Sequence, residues 1–324
     1  MATEGGDPVV HEERSNTTEQ ATEQHAEQNA ADAVKEKEEK PTEGKVEQKT
    51  RAGLTEIATP GHLPQETSHF FQCSSVKSVS VSWDENLRFR KSMEDAHVIV
   101  DQLEGKAEQG YFAIYDGHGG TEAVIYTANH LHQKVLEEEL TKGDDYSEAL
   151  KQAYLLTDKQ IGEKKVAAGT TAVSALIVKE GEKKMLYVAN AGDARAVLSR
   201  GGKAERMSHD HKTNDEGESQ RIKSVGGFII LNRVNGVLAV TRSLGDTPMK
   251  EYVTGEPYIQ TTEITAQDTH LVLACDGLWD VASDQEVVDF VHQEGDEKAL
   301  SEKLVQHALK KGSTDNISVM VITL

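Results

Sequence analysis

The sequence predicts an α+β protein in which two antiparallel sheets pack face to face with helices outside them. Three observations carry that expectation. Apolar, β-branched or aromatic runs follow one another, joined by short turns such as Glu180-Gly181-Glu182 and Arg200-Gly201-Gly202, which favours antiparallel pairing. Helical periodicity falls in separate pairs of segments, so helices and strands are segregated. Finally, every Phe, Tyr and Trp lies at or beyond residue 70, which puts the core there.

Residues 1–69 are rich in Glu, Gln, Thr, Ala and Lys. Such a segment buries too little apolar surface to offset the entropy of ordering it. It reads as a disordered acidic tail, with the folded domain at 70–324. Residues 34–49 alternate Lys and Glu like a transient helix, but have no apolar face to anchor it. The expected strands are 76–82, 97–102, 111–115, 171–179, 185–189, 194–199, 237–240, 258–264, 270–275 and 317–324. The expected helices are 121–139, 147–164, 215–225, 284–293 and 297–310. Asp284 reads as a helix N-cap, and Gly312 as a helix stop.

The chain carries 55 acids against 35 Lys and Arg, a net charge of −20. The first 69 residues hold 15 acids and 7 bases, leaving −12 on the remainder. An acidic body without a Lys/Arg stripe argues against nucleic acid as partner and suits cation binding. Two cysteines, Cys73 and Cys275, give neither a disulfide framework nor a zinc cluster. The start Met1-Ala-Thr-Glu is no signal peptide, and no apolar run approaches the length of a membrane span. A soluble, intracellular protein with no membrane partner is expected.

Four acidic clusters, each attached to a short apolar run, carry the chemistry. They are Arg90-Lys91-Ser92-Met93-Glu94-Asp95, then Asp116-Gly117-His118-Gly119-Gly120 after YFAIY, Asp276-Gly277-Leu278-Trp279-Asp280 after LVLAC, and Thr314-Asp315-Asn316 before ISV. A carboxylate at the mouth of a buried strand is costly, and carboxylates from distant segments repel one another. A hard divalent cation neutralises both problems, and oxygen ligands point to Mg²⁺ or Mn²⁺ rather than zinc. Each cluster also has a plainer explanation. Asp116 could open a Gly-rich β-to-helix turn, Asp276 and Asp280 could be helix-end charges, and Asp315-Asn316 could be an Asx turn. Arg90, four residues before Glu94, could offer its guanidinium to a phosphate or form a surface ion pair. Asp193 lies in the turn Asn190-Ala191-Gly192-Asp193-Ala194-Arg195. His209-Asp210-His211 resembles a metal tract but lacks further partners, and reads as a structural loop.

Taken together and in order, RxxxMEDAH, YDGHGG, AGTTA, GDAR, DHK, LAVTRSLGD, ACDGLWD and TDNISV resemble the metal-dependent serine/threonine protein phosphatases of type 2C, over about residues 79–324. The compact domain and residues 233–246 resemble the small members from lower eukaryotes that switch off stress-responsive MAP-kinase cascades. The resemblance implies a four-layer α-β-β-α sandwich with two metal ions at one end of the paired sheets. It implies that Asp116 bridges the ions, that Asp276 and Asp315 complete one, and that the Gly117 carbonyl completes the other. Glu94 and Asp95 act on the second ion directly or through water. It further implies that a bridging water attacks phosphorus in line, that Arg90 holds phosphate oxygens, and that His118 protonates the departing Ser or Thr oxygen. Asp193, with Asp276 and Asp280, matches a weaker third metal site. The implied protein is a monomeric negative regulator of kinase signalling in cytoplasm or nucleus, acting on phosphorylated proteins such as protein kinases. An inactive, binding-only relative would be expected to lack metal ligands, and none is missing. A metal-dependent nuclease is opposed by the acidic surface.

Overall fold

The strands at 111–115 and 317–323 are buried along their whole length because both faces of their sheets are covered. The computed structural model describes residues 53–137 and 145–324. In chain order the strands are β1 (Thr55–Ala58), β2 (Ser68–Gln72), β3 (Ser78–Asp84), β4 (Asp95–Asp101), β5 (Gly110–His118), β6 (Gly169–Glu180), β7 (Lys183–Ala191), β8 (Arg195–Arg200), β9 (Lys203–Arg206), β10 (Ile229–Ile230), β11 (Arg233–Val234), β12 (Leu244–Gly245), β13 (Tyr258–Glu263), β14 (Asp268–Ala274) and β15 (Ile317–Thr323). The α-helices are α1 (Glu122–Leu136), α2 (Tyr146–Glu163), α3 (Glu216–Ser224), α4 (Asp276–Trp279), α5 (Asp284–Gln293) and α6 (Leu300–Lys310).

One sheet has the order β1-β4-β5-β6-β7-β13, with β12 also paired to β6; the other has the order β2-β3-β15-β14-β8-β9. Every pairing within both is antiparallel. The side-chain period of two then sorts the core into layers. Along β5, Phe112 and Ile114 point between the sheets, where they share a cluster with Val81, Leu271, Leu273 and Met320. The alternate residues Tyr111, Ala113 and Tyr115 face the other way, into a cluster with Leu131 of α1 and Tyr154 of α2. On the outer face of the second sheet, Val272 and Val321 pack with Val287 of α5 and Leu304 of α6. The result is the expected four-layer α-β-β-α sandwich.

Several expectations need correction. The folded part begins well before residue 70. β1 pairs with β4 from Thr55↔Val100 to Ala58↔His97, and β2 pairs with β3. β1 was hidden because it has no aromatic residue and works through contacts that composition does not register. Glu56 Oε1 lies 2.8 Å from His97 Nε2 and 3.0 Å from His69 Nδ1, while Ile57 leans on the helix-facing core. The expected helix at 34–49 lies outside the described residues. A chain starting at Gln65 is therefore expected to melt several degrees lower than the full chain, since losing even 1–2 kcal/mol moves Tm by roughly 2–4 °C per kcal/mol in a domain of this size. Equal melting temperatures would show β1 to be dispensable.

Residues 237–240 are not a strand. Asn235 and Gly236 both take positive φ, at 49° and 74°, which turns the chain so that the Val234 amide donates to the Leu238 carbonyl at 2.8 Å. The N-cap of α5 is Ser283, whose side chain accepts from the Glu286 amide. Asp284 instead binds Arg195 and Arg206. Gly312 does stop α6: with φ at 90° it lets the amides of Gly312 and Ser313 donate to Leu309 and Ala308 carbonyls.

Candidate active site

The inward-facing rows of the two sheets deliver the acids to one end of the sandwich. Asp116 continues the row of Phe112 and Ile114, and it sits opposite Asp95 in the β4–β5 register. Cys275 continues the row of Leu271 and Leu273. Ligand atoms of Asp95, Asp116 and Cys275 all lie within 4.8 Å of one another. Asp276 opens α4, and Asp315 lies in the turn leading into β15.

The electrostatics follow from crowding. Burial pushes Asp116 far above the ordinary carboxylate range, and Asp95, Asp276, Asp193 and Asp315 push the same way. Asp116 is partly exposed as a residue, yet its carboxyl lies among these acids. Burial likewise takes Asp95 to about 7, against hydrogen bonds from Ser318 and Cys275. Burial, then Asp193 and Asp315, takes Asp276 to about 8. Ser318 Oγ donates to Asp95 Oδ2 at 2.7 Å, but Asp95 Oδ1 and Asp276 Oδ1 are buried with no hydrogen-bond partner. Buried carboxylate oxygens left in this way are destabilising unless a cation meets them. Burial holds the Cys275 thiol far above its ordinary value, and its sulfur already accepts from the Ser318 amide at 3.1 Å, so the group is no soft thiolate ligand. The donors left are oxygens, which fit hard divalent ions.

Gly117 is required for a steric reason. Its amide donates to the Glu94 carbonyl at 3.1 Å, and a Cβ at 117 would sit 2.3 Å from that oxygen. Asn316 then stitches three segments together. Its Oδ1 accepts from the Glu94 amide at 3.0 Å, and its Nδ2 donates to the carbonyls of Glu85 and Ser92 at 2.7 and 3.1 Å. Asp315 Oδ1 accepts from the amide of the next residue, Asn316, at 2.7 Å, one residue short of the contact that defines an Asx turn.

The remaining expected residues each meet a partner of their own. Arg90 forms an ion pair with Asp315. His118 Nε2 lies 2.7 Å from Asp246 Oδ2, and Ser243 Oγ donates to the same oxygen. Asp246 is held in a left-handed conformation with its amide on the Ala168 carbonyl at 2.9 Å. A Cβ on Gly169 would strike both Asp246 and His118. Asp193 and Asp280 lie near Asp276 and share a cation of the protein itself: Lys212 Nζ reaches both, at 3.2 and 3.1 Å. Although burial opposes it, these acids hold Lys212 charged, above its ordinary value. A third ion would have to displace that ammonium. The residues of the tract at 209–211 act separately, on Asp215, Arg195 and Gly192. Asp246, Asn316 and Lys212 were not singled out as site residues from the sequence. A polar residue inside SLGD, TDNIS or DHK was the available signal.

The chain matches the family described as Protein phosphatase 2C over residues 79–317. It is 42% identical over 247 residues to "Protein phosphatase 2C homolog 1" of Schizosaccharomyces pombe, covering 74% of this chain and 71% of that protein. To the protein of the same name from Saccharomyces cerevisiae it is 39% identical over 264 residues, covering 76% and 93%. A C. elegans sex-determining protein superposes with a TM-score of 0.68 at 28% identity, over 76% of this chain and 64% of that one. A serine-threonine phosphatase 2C from Toxoplasma gondii shares the fold, with a TM-score of 0.64 at 21% identity, over 84% and 98%. Among the described residues no helix is long and apolar enough to cross a membrane.

Proposed function

The chain belongs to the protein phosphatase 2C family of metal-dependent serine/threonine phosphatases, and from that premise we propose that the carboxylate cluster is the site where phosphate is removed from proteins. The observation that carries this reading is the pair of buried, partnerless oxygens on Asp95 and Asp276 within a group of mutually repelling acids. Asp116, Asp276, Asp315 and the Gly117 carbonyl would hold two ions, Mg²⁺ or Mn²⁺, with Glu94 and Asp95 acting on the second. When bound, the ions supply an acidified water and offset charge on the phosphoryl oxygens.

The protein's own groups do the rest. Arg90 turns its planar guanidinium from Asp315 to two phosphate oxygens, a geometry that suits bidentate recognition. His118 is fixed through Nε2 by Asp246, which leaves Nδ1 as the nitrogen able to give a proton to the departing Ser or Thr oxygen. Asp246 is thus a positioning residue. As substrates we propose phosphorylated protein kinases, a reading supported only by the resemblance of residues 233–246 to the small lower-eukaryote members.

The test is phosphate release from a phosphothreonine peptide with and without a chelator. Release is expected to stop on chelation and return with Mn²⁺ or Mg²⁺; release indifferent to chelation would sink the reading. In the same assay His118→Gln is expected to lose roughly 10²–10⁴-fold, as befits a general acid. It should lose far less on p-nitrophenyl phosphate, whose leaving group needs no proton. Equal losses on the two substrates would assign His118 a structural role.

A further inference from the structure

The loop leading into the site exposes more than Arg90. Residues 87–92 are exposed in an unbroken run between buried Asn86 and buried Met93. Within it Leu87 is 67% and Phe89 50% exposed, and the Arg88 guanidinium lies 5.2 Å from the Phe89 ring centroid. Large exposed apolar side chains are commonplace singly, but two in three positions beside a reaction site call for an explanation.

The loop is not floppy. Asn86 adopts a left-handed conformation and its Nδ2 donates to the carbonyls of Ser313 and Asp315, both at 2.9 Å. The Phe89 and Arg90 amides donate back to the Asn86 carbonyl at 2.8 and 3.1 Å. At the far end, Asn316 grips the Ser92 carbonyl. The backbone that carries Asp315 therefore also fixes the direction in which Leu87 and Phe89 project.

Charge supplies the second half of the argument. Several exposed lysines elsewhere are paired, as in Lys151–Glu256, Lys179–Glu108 and Lys183–Glu263, whereas others, such as Lys203 and Lys223, stand singly among the described residues. Arg88 and Lys91 make no ion pair among the described residues. In a chain of net charge −20, this leaves a local cationic spot where a dianionic group must approach.

We propose that residues 87–92 form a substrate-reading platform, selecting phosphorylated segments that carry acidic residues and an apolar side chain next to the phosphorylated residue. The proposal rests on the phosphatase reading. Phe89 and Leu87 receive the apolar side chain, and Arg88 and Lys91 meet the acidic ones. Adjacent Cα atoms are about 3.8 Å apart, so a peptide whose phosphate is held by Arg90 has its neighbouring residues against this loop.

The experiment uses the full chain with Mn²⁺ and phosphothreonine peptides whose flanks are acidic and apolar, acidic only, neutral, or basic, with p-nitrophenyl phosphate as a flank-free substrate. The expected order of kcat/KM follows that sequence of flanks. Arg88→Glu with Lys91→Glu should raise KM on acidic peptides about three- to tenfold, the scale of two exposed charge pairs. Phe89→Ala should remove the preference for an apolar flank, and all variants should leave p-nitrophenyl phosphate turnover and the melting temperature unchanged. A wild-type protein indifferent to flanks, or variants that keep its preference, would overturn the proposal. So would losses of equal size on p-nitrophenyl phosphate. Faster p-nitrophenyl phosphate turnover in the charge-reversed variant would mean that the protein itself covers the loop, which also overturns it. If no phosphopeptide is hydrolysed by any form, the phosphatase reading fails instead.

Discussion

Asp276→Asn is expected to abolish phosphate release while raising the melting temperature of the metal-free protein at pH 8. Both effects come from one crowded carboxyl. Burial, Asp193 and Asp315 already lift Asp276 to about 8, and its Oδ1 is buried with no partner. Asparagine has nearly the same shape without the charge, so it relieves repulsion that only a cation otherwise offsets. On the proposed ligand set the same change removes an anionic ligand. Outer-shell partners of metal ligands typically matter by 10–100-fold, so losing a direct ligand should cost at least about 100-fold. Turnover at limiting Mn²⁺ and melting in chelator measure the two halves. Near-normal turnover would remove Asp276 from the site, and a lowered melting temperature would contradict the crowding argument.

The second large effect concerns pH. An unfolded chain releases Asp protons near pH 4, whereas the folded, metal-free protein retains them on Asp95 to about 7 and on Asp276 to about 8. Between those limits the folded state binds more protons, so raising the pH destabilises it. This contribution is fully present below pH 4 and is lost as pH rises through 7 and 8. Divalent ions compete with those protons and take their place. The gain in melting temperature on adding Mn²⁺ should therefore be much larger at pH 8 than at pH 5. A gain as large at pH 5 would mean that the ions bind elsewhere.

The sequence revealed the features that are local and repeated. Tyr111 to Tyr115 announced a strand buried on both faces, and Asp116 announced its abrupt end, because both facts are written in neighbouring residues. What escaped is non-local. β1 has little apolar content, and its value lies in Glu56 meeting His97 and His69 across two sheets. His118 and its support Asp246 are 128 positions apart, and Arg90 and Asp315 are 225 apart. Lys212 between Asp193 and Asp280 is a further case: three residues from three turns, none carrying a mark of the others. Asp284 misled for the opposite reason. It stands beside the true cap, Ser283, and its carboxylate is used by two arginines instead.

The strand β15 occupies the middle of its sheet, between β3 and β14, and the turn just before it supplies Asp315 and Asn316. During vectorial synthesis, β3 and β14 leave the ribosome with an empty lane between them, and both flanking edges stay open to wrong partners until β15 arrives. Pairing β15 with β3 joins residues more than 200 positions apart, from Ile317↔Asp84 to Thr323↔Ser78, which makes closure slow relative to local contacts. On the proposed ligand set, Asp315 is therefore in place only once β15 has paired with β3. The pairing that fills this sheet is the same one that brings Asp315 and Asn316 to the acidic cluster.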